Sequence, residues 1–285
     1  MLKFAIIGPA TANTKDLSEA VQLAGHHATV LKFSEIIFEI VGDVFVATRG
    51  GVDICDFDVV IFRGYDRHIE EAQLLAEMLV EKNVTIIEQT LAGCYVSGKI
   101  QQAKRLFQGG IKHPKTFQAN NIEGWGNVLK ELSFPILAKP ILGCKGRGIQ
   151  KLVTLEEAQD FFSLSRPDYL VQQYFPIVSD FRVFVVCGKV VGSFKRFINE
   201  GQYKSNIRGT RAEKIEIGEE MEKISIKATA AMGYEVAGVD LFEHDGDIYV
   251  IEVNVTPQWE KFKLVTGINP AKHIIEYAIE KRSKK

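Results

Sequence analysis

The sequence predicts an α/β domain with a small parallel sheet, followed by a larger α+β unit. Over the first ninety-odd residues, short apolar runs alternate with amphipathic segments. This alternation is typical of a parallel sheet covered by helices. From Thr116 onward the pattern changes, and several strand-like runs follow one another with short polar turns. The chain has 285 residues, which is long enough for two or three small domains.

The first domain is predicted to hold four strands and two helices. Apolar runs rich in β-branched residues indicate strands, and the 3.6-residue periodicity indicates helices. The predicted strands are Lys3–Gly8, Thr29–Phe33, Asp58–Phe62 and Thr85–Ile87, the helices are Thr14–Ala24 and His68–Val80, and Val41–Arg49 is a small hairpin extension. The boundary to the second unit is expected near Leu91–Val96.

The second unit begins with a helix and continues mainly with strands. Ser97 is a predicted cap for helix Gly98–Phe107, and Thr154 with Glu157 forms a predicted capping box for another helix. The other predicted helices are Ile122–Leu132, Glu219–Met232 and Pro270–Lys281, and the predicted strands are Ile136–Lys139, Ile149–Val153, Tyr169–Tyr174, Phe181–Cys187, Lys189–Phe197, Lys214–Ile217 and a hairpin over 238–254.

Composition argues against several classes of protein. The formal net charge of −1 gives no reason to expect a nucleic-acid partner, which usually selects a basic face. The four cysteines show no CxxC spacing, which argues against a zinc site and for reduced thiols in a cytosolic protein. The apolar run Leu2–Gly8 is too short for a signal peptide or a membrane span.

The most informative feature is a pair of apolar segments that carry oxygen ligands. Glu252 and Asn254 are two residues apart, so they share one face of a strand. Asp240, on the preceding strand, joins that face if the connection is odd in length or bulged. A two-residue Asp245-Gly246 turn would instead place Asp240 on the opposite face.

This trio of oxygen ligands predicts a magnesium site. Two carboxylates and an amide, with no His or Cys among them, suit Mg²⁺ held partly by phosphate oxygens. The alternative is a solvated hairpin face with ordinary acids. We favour the metal because the strands read as largely buried, and buried carboxylates need a partner.

A lysine and a glycine-rich loop indicate a phosphate site. Lys139 ends a predicted buried strand just ahead of Gly143, Gly146 and Gly148. Glycines let a loop bring backbone N–H groups against phosphates. The spacing fits neither a P-loop nor a Rossmann fingerprint, and alone it is as often a plain hairpin. With Lys139 ahead and oxygen ligands downstream, nucleotide phosphate is the better interpretation.

The segment Leu170–Phe175 is a candidate adenine site. An adenine ring could lie against its apolar face and bind the backbone at Gln173 and Tyr174, with the ribose hydroxyls on Asp180. A core strand followed by a surface acid explains the pattern equally well.

Arginines on neighbouring segments complete the candidate chemistry. Arg182 and Arg196 lie on two predicted adjacent strands, and a polar loop adds Arg208. Arginines that converge on a metal and a triphosphate are what phosphoryl transfer needs, because charge spreads over the equatorial oxygens in the transition state. Taken singly, each arginine is better explained as a solvated surface residue.

Six motifs in one order resemble the ATP-grasp superfamily, and specifically the RimK type of amino-acid (glutamate) ligase. The motifs are Lys139-Pro140 with its glycine loop, Val171-Gln-Gln-Tyr174, the segment Asp180–Val186, Lys204-Ser-Asn-Ile-Arg208-Gly209, Gly238-Val-Asp240 and Glu252-Val-Asn254. The resemblance covers about the last two hundred residues. It implies a domain at 1–93 that precedes an ATP-grasp domain at 94–285, whose subdomains at 94–168 and 169–285 hold ATP between them.

The resemblance also implies roles for individual residues. The triphosphate would be contacted by Lys99, Lys139, Gly143, Gly146, Gly148, Lys204, Ser205 and Asn206, the adenine by Gln173 and Tyr174, the ribose by Asp180, the magnesium by Asp240, Glu252 and Asn254, and the acyl phosphate by Arg182, Arg196 and Arg208. The chain departs from the family pattern at Thr210 and at Thr256–Trp259, where the acceptor is expected to bind.

The implied function is an ATP-dependent carboxylate–amine ligase that works through an acyl phosphate. The implied cofactors are ATP and one or two Mg²⁺, with Mn²⁺ able to substitute. The implied partners are a small-molecule, peptide or protein carboxylate and an amino acid such as glutamate, and a homo-oligomer is compatible with the sequence. The alternatives are a ligase with a different acceptor, of the D-alanine or glutathione type, and a nucleotide-binding module without catalysis.

Arg63 is a candidate for the acceptor. It ends the predicted strand Asp58–Phe62, at the edge where α/β sheets present ligand-binding groups. A guanidinium can grip a carboxylate with two hydrogen bonds. An arginine that pairs with Asp66 or Glu70 on the surface is at least as good an explanation from the sequence alone.

Overall fold

The computed structural model describes residues 1–93, 95, 98–141, 147–164, 168–199, 201–202 and 210–285. In these residues the chain forms an N-terminal parallel sheet and two antiparallel sheets, each covered by helices, together with a small three-stranded extension. This confirms the predicted α/β domain followed by an α+β unit. None of the helices in this part of the chain is both long enough and apolar enough to cross a membrane.

The N-terminal part is a four-stranded parallel sheet with the strand order β2-β1-β6-β7. Its elements are β1 (Lys3–Ile7), α1 (Ala12–Leu23), β2 (His27–Leu31), β6 (Val59–Phe62), α2 (Ile69–Glu81) and β7 (Thr85–Ile87), and the extension between them is β3 (Ile37–Val41), β4 (Val44–Arg49) and β5 (Val52–Asp53). The central strands β1 and β6 are short and, apart from the exposed Lys3 at the start of β1, fully apolar and buried, as expected of strands that helices cover on both faces.

The middle part is an antiparallel sheet with the order β10-β9-β11-β8, covered by two helices. Its elements are α3 (Lys99–Gln108), β8 (Thr116–Phe117), α4 (Ile122–Lys130), β9 (Ile136–Pro140), β10 (Gln150–Leu152), α5 (Leu155–Ser163) and β11 (Tyr169–Gln173). Trp125 of α4 stacks on Phe162 of α5 with 4.0 Å between ring centroids. Half of the predicted capping box is present, since the Thr154 hydroxyl accepts from the Glu157 N–H at 3.2 Å, while the Glu157 carboxylate accepts from the Val153 N–H at 2.6 Å instead of from Thr154.

The third part is a five-stranded antiparallel sheet with the order β14-β13-β12-β15-β16. Its elements are β12 (Ser179–Val186), β13 (Lys189–Phe197), β14 (Ala212–Lys214), α6 (Glu219–Met232), β15 (Val236–His244), β16 (Asp247–Asn254), α7 (Glu260–Thr266) and α8 (Pro270–Ser283). The predicted strand Lys214–Ile217 is displaced, because β14 ends at Lys214. Ile215 and Ile217 pack on the core beyond it as irregular chain.

The last helix completes the core of the first sheet. One hydrophobic cluster joins Phe4 and Ile6 of β1 to Ile274 and Ile275 of α8. Lys281 of α8 also donates to the Ile86 carbonyl of β7 at 2.9 Å. Residues from the two ends of the chain therefore share one core.

Candidate active site

The β15–β16 hairpin places all three predicted oxygen ligands on one face. The turn has two residues, Asp245 with φ 50° and Gly246 with φ 81°, which is the left-handed pair of a type I′ hairpin. A regular ladder from this turn would put Asp240 opposite Ile251. The register instead shifts between Asp240 and Leu241, so that Asp240 lies opposite Glu252. Directly opposed residues point to the same face. The bulge, and not the length of the turn, therefore places Asp240 on the same face as Glu252.

The two faces of this hairpin differ in what they contact. Leu241 and Val250 are fully buried in the core beneath α6. On the other face, which carries Asp240 and Glu252, Phe242 and Tyr249 stack 5.3 Å apart. Phe175, just beyond β11, packs on both rings at 5.0 and 4.9 Å. The ligand-bearing face therefore looks toward the middle sheet.

Asp240 lies between two guanidinium groups. Its carboxylate is 5% exposed and accepts from Nε and Nη2 of Arg182 and from Nη2 of Arg196 at 2.9 Å. Burial alone would raise the pKa of Asp240, but the nearby charges of Arg182 and Arg196 lower it below its usual range. The two arginines predicted from adjacent strands thus meet at the predicted metal ligand.

Asp180 has a partner that the sequence did not reveal. Both of its oxygens accept from Arg196, at 2.6 and 2.9 Å, and its side chain is 4% exposed as part of that pair. Asp180 and Asp240 therefore hold Arg196 from two sides, and their charges raise the pKa of its guanidinium against the effect of burial. If Asp180 binds the ribose, its carboxylate must accept hydrogen bonds from the ribose hydroxyls and from Arg196 together.

The chemistry of the trio suits a hard divalent cation. Asn254 donates its amide N–H groups to the Gly238 carbonyl at 3.3 Å and to Oε1 of Glu252 at 3.1 Å, which turns its amide oxygen away from both. That oxygen and the Glu252 carboxylate are ligands that Mg²⁺ accepts. Asp240 would bind a cation through those lone pairs of its carboxylate oxygens that accept no hydrogen bond from Arg182 or Arg196. Among the described residues, no three His, Cys, Asp or Glu side chains form a metal-binding group, so such a site depends on the Asn254 oxygen.

Two lysines face this site from the middle part of the chain. Lys139 on β9 donates to Oε1 of Gln172 on β11, and Lys99 at the start of α3 donates to the Ile141 carbonyl at 3.2 Å. Desolvation lowers the pKa of Lys139 to about 8, with Glu252 opposing the shift and Lys99 adding to it. Two ammonium groups whose charges act on each other suit an anionic ligand that spreads its charge over several oxygens.

Gly148 is the one glycine of the predicted phosphate loop within the described residues. Its φ is +73°, and a Cβ there would lie 2.8 Å from Cγ of Pro140, so a larger residue would be strained twice over. Predicted site residues that lie outside the described ranges are Gly143, Gly146, Lys204, Ser205, Asn206 and Arg208, and the predicted helix cap Ser97 also lies outside them.

The predicted adenine segment lies at the end of β11. The Gln173 N–H donates to the Lys115 carbonyl at 2.9 Å, and the Tyr174 ring lies under the Lys151 ammonium at 4.1 Å. Both side chains are half-buried beside Phe175. The next residue, Phe175, packs on the rings of Phe242 and Tyr249, so this segment lies where the middle sheet meets the hairpin.

Arg63 is buried between the first sheet and the segment that follows β16. Its side chain is 6% exposed, donates to the Pro257 carbonyl at 2.6 Å and lies 4.6 Å from the Trp259 ring. Desolvation lowers its pKa to about 10. The surface pair with Asp66 or Glu70 is therefore not formed, and Arg63 instead contacts the turn at 256–259.

The sequence missed three side chains that bear on this site. His113 and Gln172 form the hydrogen-bonded support of Lys139, and Trp259 joins Arg63 to Asp16 through its Nε1–H at 2.9 Å. Spacing could not have indicated them. The partners of His113 on β11 and β16 and those of Trp259 lie more than fifty residues away in the chain, and Gln172 meets Lys139 only through the register of β9 and β11.

Comparison with known proteins identifies the family. Residues 96–278 match the model of the RimK-like ATP-grasp domain. A probable alpha-L-glutamate ligase of Methanococcoides burtonii is 31% identical over 280 residues, covering 95% of this chain and 92% of that protein. One from Teredinibacter turnerae is 26% identical, covering 97% of this chain and 94% of its own length.

Solved structures share the fold at lower identity. The ATP-grasp ligase PsnB, complexed with a minimal precursor, Mg and ADP, has a TM-score of 0.75 at 18% identity and covers 99% of this chain and 98% of its own. A RiPP-associated ATP-grasp ligase of Chryseobacterium gregarium, in complex with ADP and a leader and core peptide, has a TM-score of 0.77 at 15% identity, covering 99% and 97%. The chain therefore belongs to the RimK-like ATP-grasp family of ligases, as its six ordered motifs predicted.

Proposed function

We propose that this protein joins a substrate carboxylate to the amine of an amino acid, such as glutamate, with ATP as the energy source. The observation that carries the proposal is the meeting of Asp240 with Arg182 and Arg196 on one buried sheet face. Glu252 shares that face, and its charge acts on Lys139 of the middle sheet, where it opposes the lowering of the lysine pKa by burial. The relatives named as probable glutamate ligases favour glutamate as the added amino acid.

The proposed reaction has two steps. An oxygen of the acceptor carboxylate attacks the γ-phosphorus of ATP, ADP leaves, and an acyl phosphate forms. The amine nitrogen then attacks the acyl carbon, inorganic phosphate leaves with one former carboxylate oxygen, and the nitrogen loses a proton to give the amide. Bound Mg²⁺, or Mn²⁺ in its place, would neutralise the charge of the triphosphate oxygens.

The residues of the chain have separate parts in this proposal. Lys99 and Lys139 bind the triphosphate, because each ammonium group is held by an oxygen of the middle part and the charges of Glu252 and Lys99 both act on Lys139. Asp240, Glu252 and Asn254 hold the metal. Arg182 and Arg196 steady the acyl phosphate, since their guanidinium groups are already oriented by buried carboxylates and need no rearrangement. The remaining proposed contacts are Gly143, Gly146, Gly148, Lys204, Ser205 and Asn206 on the phosphates, Gln173 and Tyr174 on the adenine, Asp180 on the ribose and Arg208 on the acyl phosphate.

The acceptor is proposed to bind beside the turn at 256–259. Pro257 lies against Gly238, where a Cβ would be 2.8 Å from Cβ of Pro257 and 3.2 Å from Cδ of Arg182. The turn therefore adjoins the arginines on one side and Arg63 on the other. Arg63 is proposed to act here by holding this wall of the acceptor site and by offering its remaining N–H groups to a carboxylate.

Isotope transfer tests the reaction. Purified protein is incubated with ATP, Mg²⁺, an amino-acid panel and candidate carboxylates labelled with ¹⁸O, and ADP, amide and phosphate are measured. The proposal predicts ADP release over many turnovers only when acceptor and amine are both productive, with one ¹⁸O per amide appearing in inorganic phosphate. Label in AMP, or amide without labelled phosphate, would contradict an acyl phosphate. ATP binding with no amide across the panel would favour the module without catalysis.

A further inference from the structure

The segment from Ile111 to Lys115 passes between the two antiparallel sheets and bonds to both. On the side of the hairpin, the Val250 N–H donates to the Lys112 carbonyl at 2.9 Å, and Nδ1 of His113 donates to the Val250 carbonyl at 2.7 Å. Val250 lies on β16, two residues before Glu252. His113 is thereby fixed to the strand that carries the proposed metal ligands.

The other nitrogen of the His113 ring faces the middle sheet. Because Nδ1 carries the proton, Nε2 is an acceptor, and the Gln172 amide nitrogen donates to it at 3.1 Å. The second amide N–H of Gln172 donates to the Thr116 hydroxyl at 3.1 Å, which itself donates to the Pro114 carbonyl at 2.8 Å. Both N–H groups of Gln172 are therefore used on the side away from Lys139.

This arrangement fixes which end of the Gln172 amide meets Lys139. Its Oε1 is the only atom left to face the ammonium, and it accepts from Nζ. The reverse orientation would set an NH₂ group against NH₃⁺, where neither can accept a hydrogen bond. One of the three ammonium N–H groups is thus committed to Gln172, which sets where the others point.

We propose that His113 is a positioning residue that, through Gln172, holds Lys139 toward the triphosphate in register with the metal-bearing strand. The inference rests on the proposed function, because it takes the phosphates as the ligand of Lys139. His113 bonds to β16 with one nitrogen and to β11 with the other, so the ring sets the spacing between the two groups of ligands. Burial lowers the pKa of His113 to about 4, which keeps the ring neutral and Nε2 an acceptor at neutral pH.

Two substitutions break the link from opposite sides. His113→Asn keeps a donor near the position of Nδ1 but cannot reach Gln172, and Gln172→Leu removes the amide while keeping a similar volume. His27→Asn, at an exposed position on β2, is the matched control for the same chemical change. Titration calorimetry with a non-hydrolysable ATP analogue and Mg²⁺ measures the dissociation constant. We expect it to rise about tenfold in both variants and to stay unchanged in His27→Asn.

The same substitutions in a Lys139→Met background separate positioning from general damage. If His113 acts through Lys139, His113→Asn should change the dissociation constant less than twofold once the ammonium is gone. An equal loss with and without Lys139, or no loss in either single variant, would overturn the proposal.

A measurement without nucleotide keeps this inference distinct from the proposed function. Acylation of Lys139 by an N-hydroxysuccinimide ester, followed by mass spectrometry, should be several times faster in His113→Asn and in Gln172→Leu than in the wild type or the control. Equal rates would overturn the link. A wild-type protein that binds no ATP analogue would instead overturn the proposed function, while the acylation rates would still decide whether His113 holds Lys139.

Discussion

Two buried carboxylates in this protein experience opposite electrostatics. Asp240 on β15 is 5% exposed and Glu88, just after β7, is 3% exposed. The charges of Arg182 and Arg196 lower the pKa of Asp240 despite its burial. Burial, reinforced by Glu235, raises the pKa of Glu88 to about 8, against the hydrogen bonds that it accepts from the Glu235 N–H and Thr90 hydroxyl. The same degree of burial therefore gives an ionised group in one region and a neutral acid in the other.

The difference lies in where the nearby cations are bound. At the seam between the first sheet and the rest of the chain, Lys281 donates to Glu235 and Arg63 donates to the Pro257 carbonyl, so neither forms a hydrogen bond with Glu88 among the described contacts. At the sheet face, two arginines bind Asp240 directly. A carboxylate that stays charged suits metal and phosphate chemistry. A neutral acid suits a buried interface between packed segments, where an ionised group would need a cationic partner.

Substitution of Asp240 should have the largest effect. Asp240→Asn removes a proposed metal ligand and leaves two guanidinium groups with less neutralising charge, so we expect turnover of ATP to fall about a thousandfold. Asp245→Asn, at the exposed turn of the same hairpin, is the matched control and should retain activity. ADP release under saturating ATP measures both. Equal activities of the two variants would remove Asp240 from the site.

Glu88 should make folding stability fall as pH rises. The group is protonated in the folded protein below about pH 8 and in the unfolded chain only below 4.5, so between these values the folded state binds the extra proton. Its stabilisation is complete below pH 4.5 and is lost toward pH 8, by about 1.4 kcal/mol per pH unit. Urea unfolding from about pH 5 to about pH 8 should show up to about 4 kcal/mol of this dependence.

Glu88→Gln should remove that dependence, and Glu81→Gln at an exposed position of α2 should keep it. The comparison of the two variants cancels the other groups that titrate in this range. If the slopes of the wild type and Glu88→Gln coincide, Glu88 is ionised at neutral pH and the contrast with Asp240 fails.

Arg63→Met should test whether the seam supports the acceptor site. The variant keeps most of the buried volume but loses the hydrogen bond to Pro257 and the contact with the Trp259 ring, so we expect unfolding free energy to fall by about 2 kcal/mol. Because the 256–259 turn adjoins Arg182, the KM for the acceptor should rise with little change in that for ATP. Arg67→Met, exposed in the same loop, is the control. A rise confined to the KM for ATP would contradict this placement.

Trp259→Phe should have the smallest effect. The ring remains apolar and buried, but the hydrogen bond to Asp16 at 2.9 Å is lost, and Asp16 keeps its ion pair with Lys263 at 2.7 Å. We expect a loss of about 1 kcal/mol in unfolding free energy. Thermal unfolding at neutral pH measures it, and a loss as large as that of Arg63→Met would show that the tryptophan, not the arginine, organises the seam.

Most of the fold could be predicted because each element carries a local pattern. Thr85–Ile87, Lys189–Phe197 and Glu219–Met232 were predicted with the bounds they have in the structure, since apolar periodicity and flanking turns define them. Helix α7 and strand β8 were missed because they are short and owe their form to tertiary contacts.

The site was less accessible to sequence reasoning. The order and spacing of the motifs indicated the candidate residues, and the predicted common face of Asp240 and Glu252 is present. The bulge that creates it left no signal, because the unpaired Ile251 simply continues the apolar run that precedes it, Ile248–Val250. The partners of Asp180 and Lys139 could not be predicted either, because Arg196 and Gln172 meet them only through strand register. The functional roles themselves stay predictions.

The position of α8 bears on how this protein is made. Because α8 packs on Phe4 and Ile6 of β1, the first sheet lacks one wall of its core during synthesis until α8 itself has been made. At 5–20 residues per second this interval is roughly 12 to 55 s. During that time β1 and α1 present apolar surface to the cell. We therefore expect the nascent N-terminal domain to bind chaperones, and a ribosome stalled before α8 to carry a chain that proteases cleave in α1.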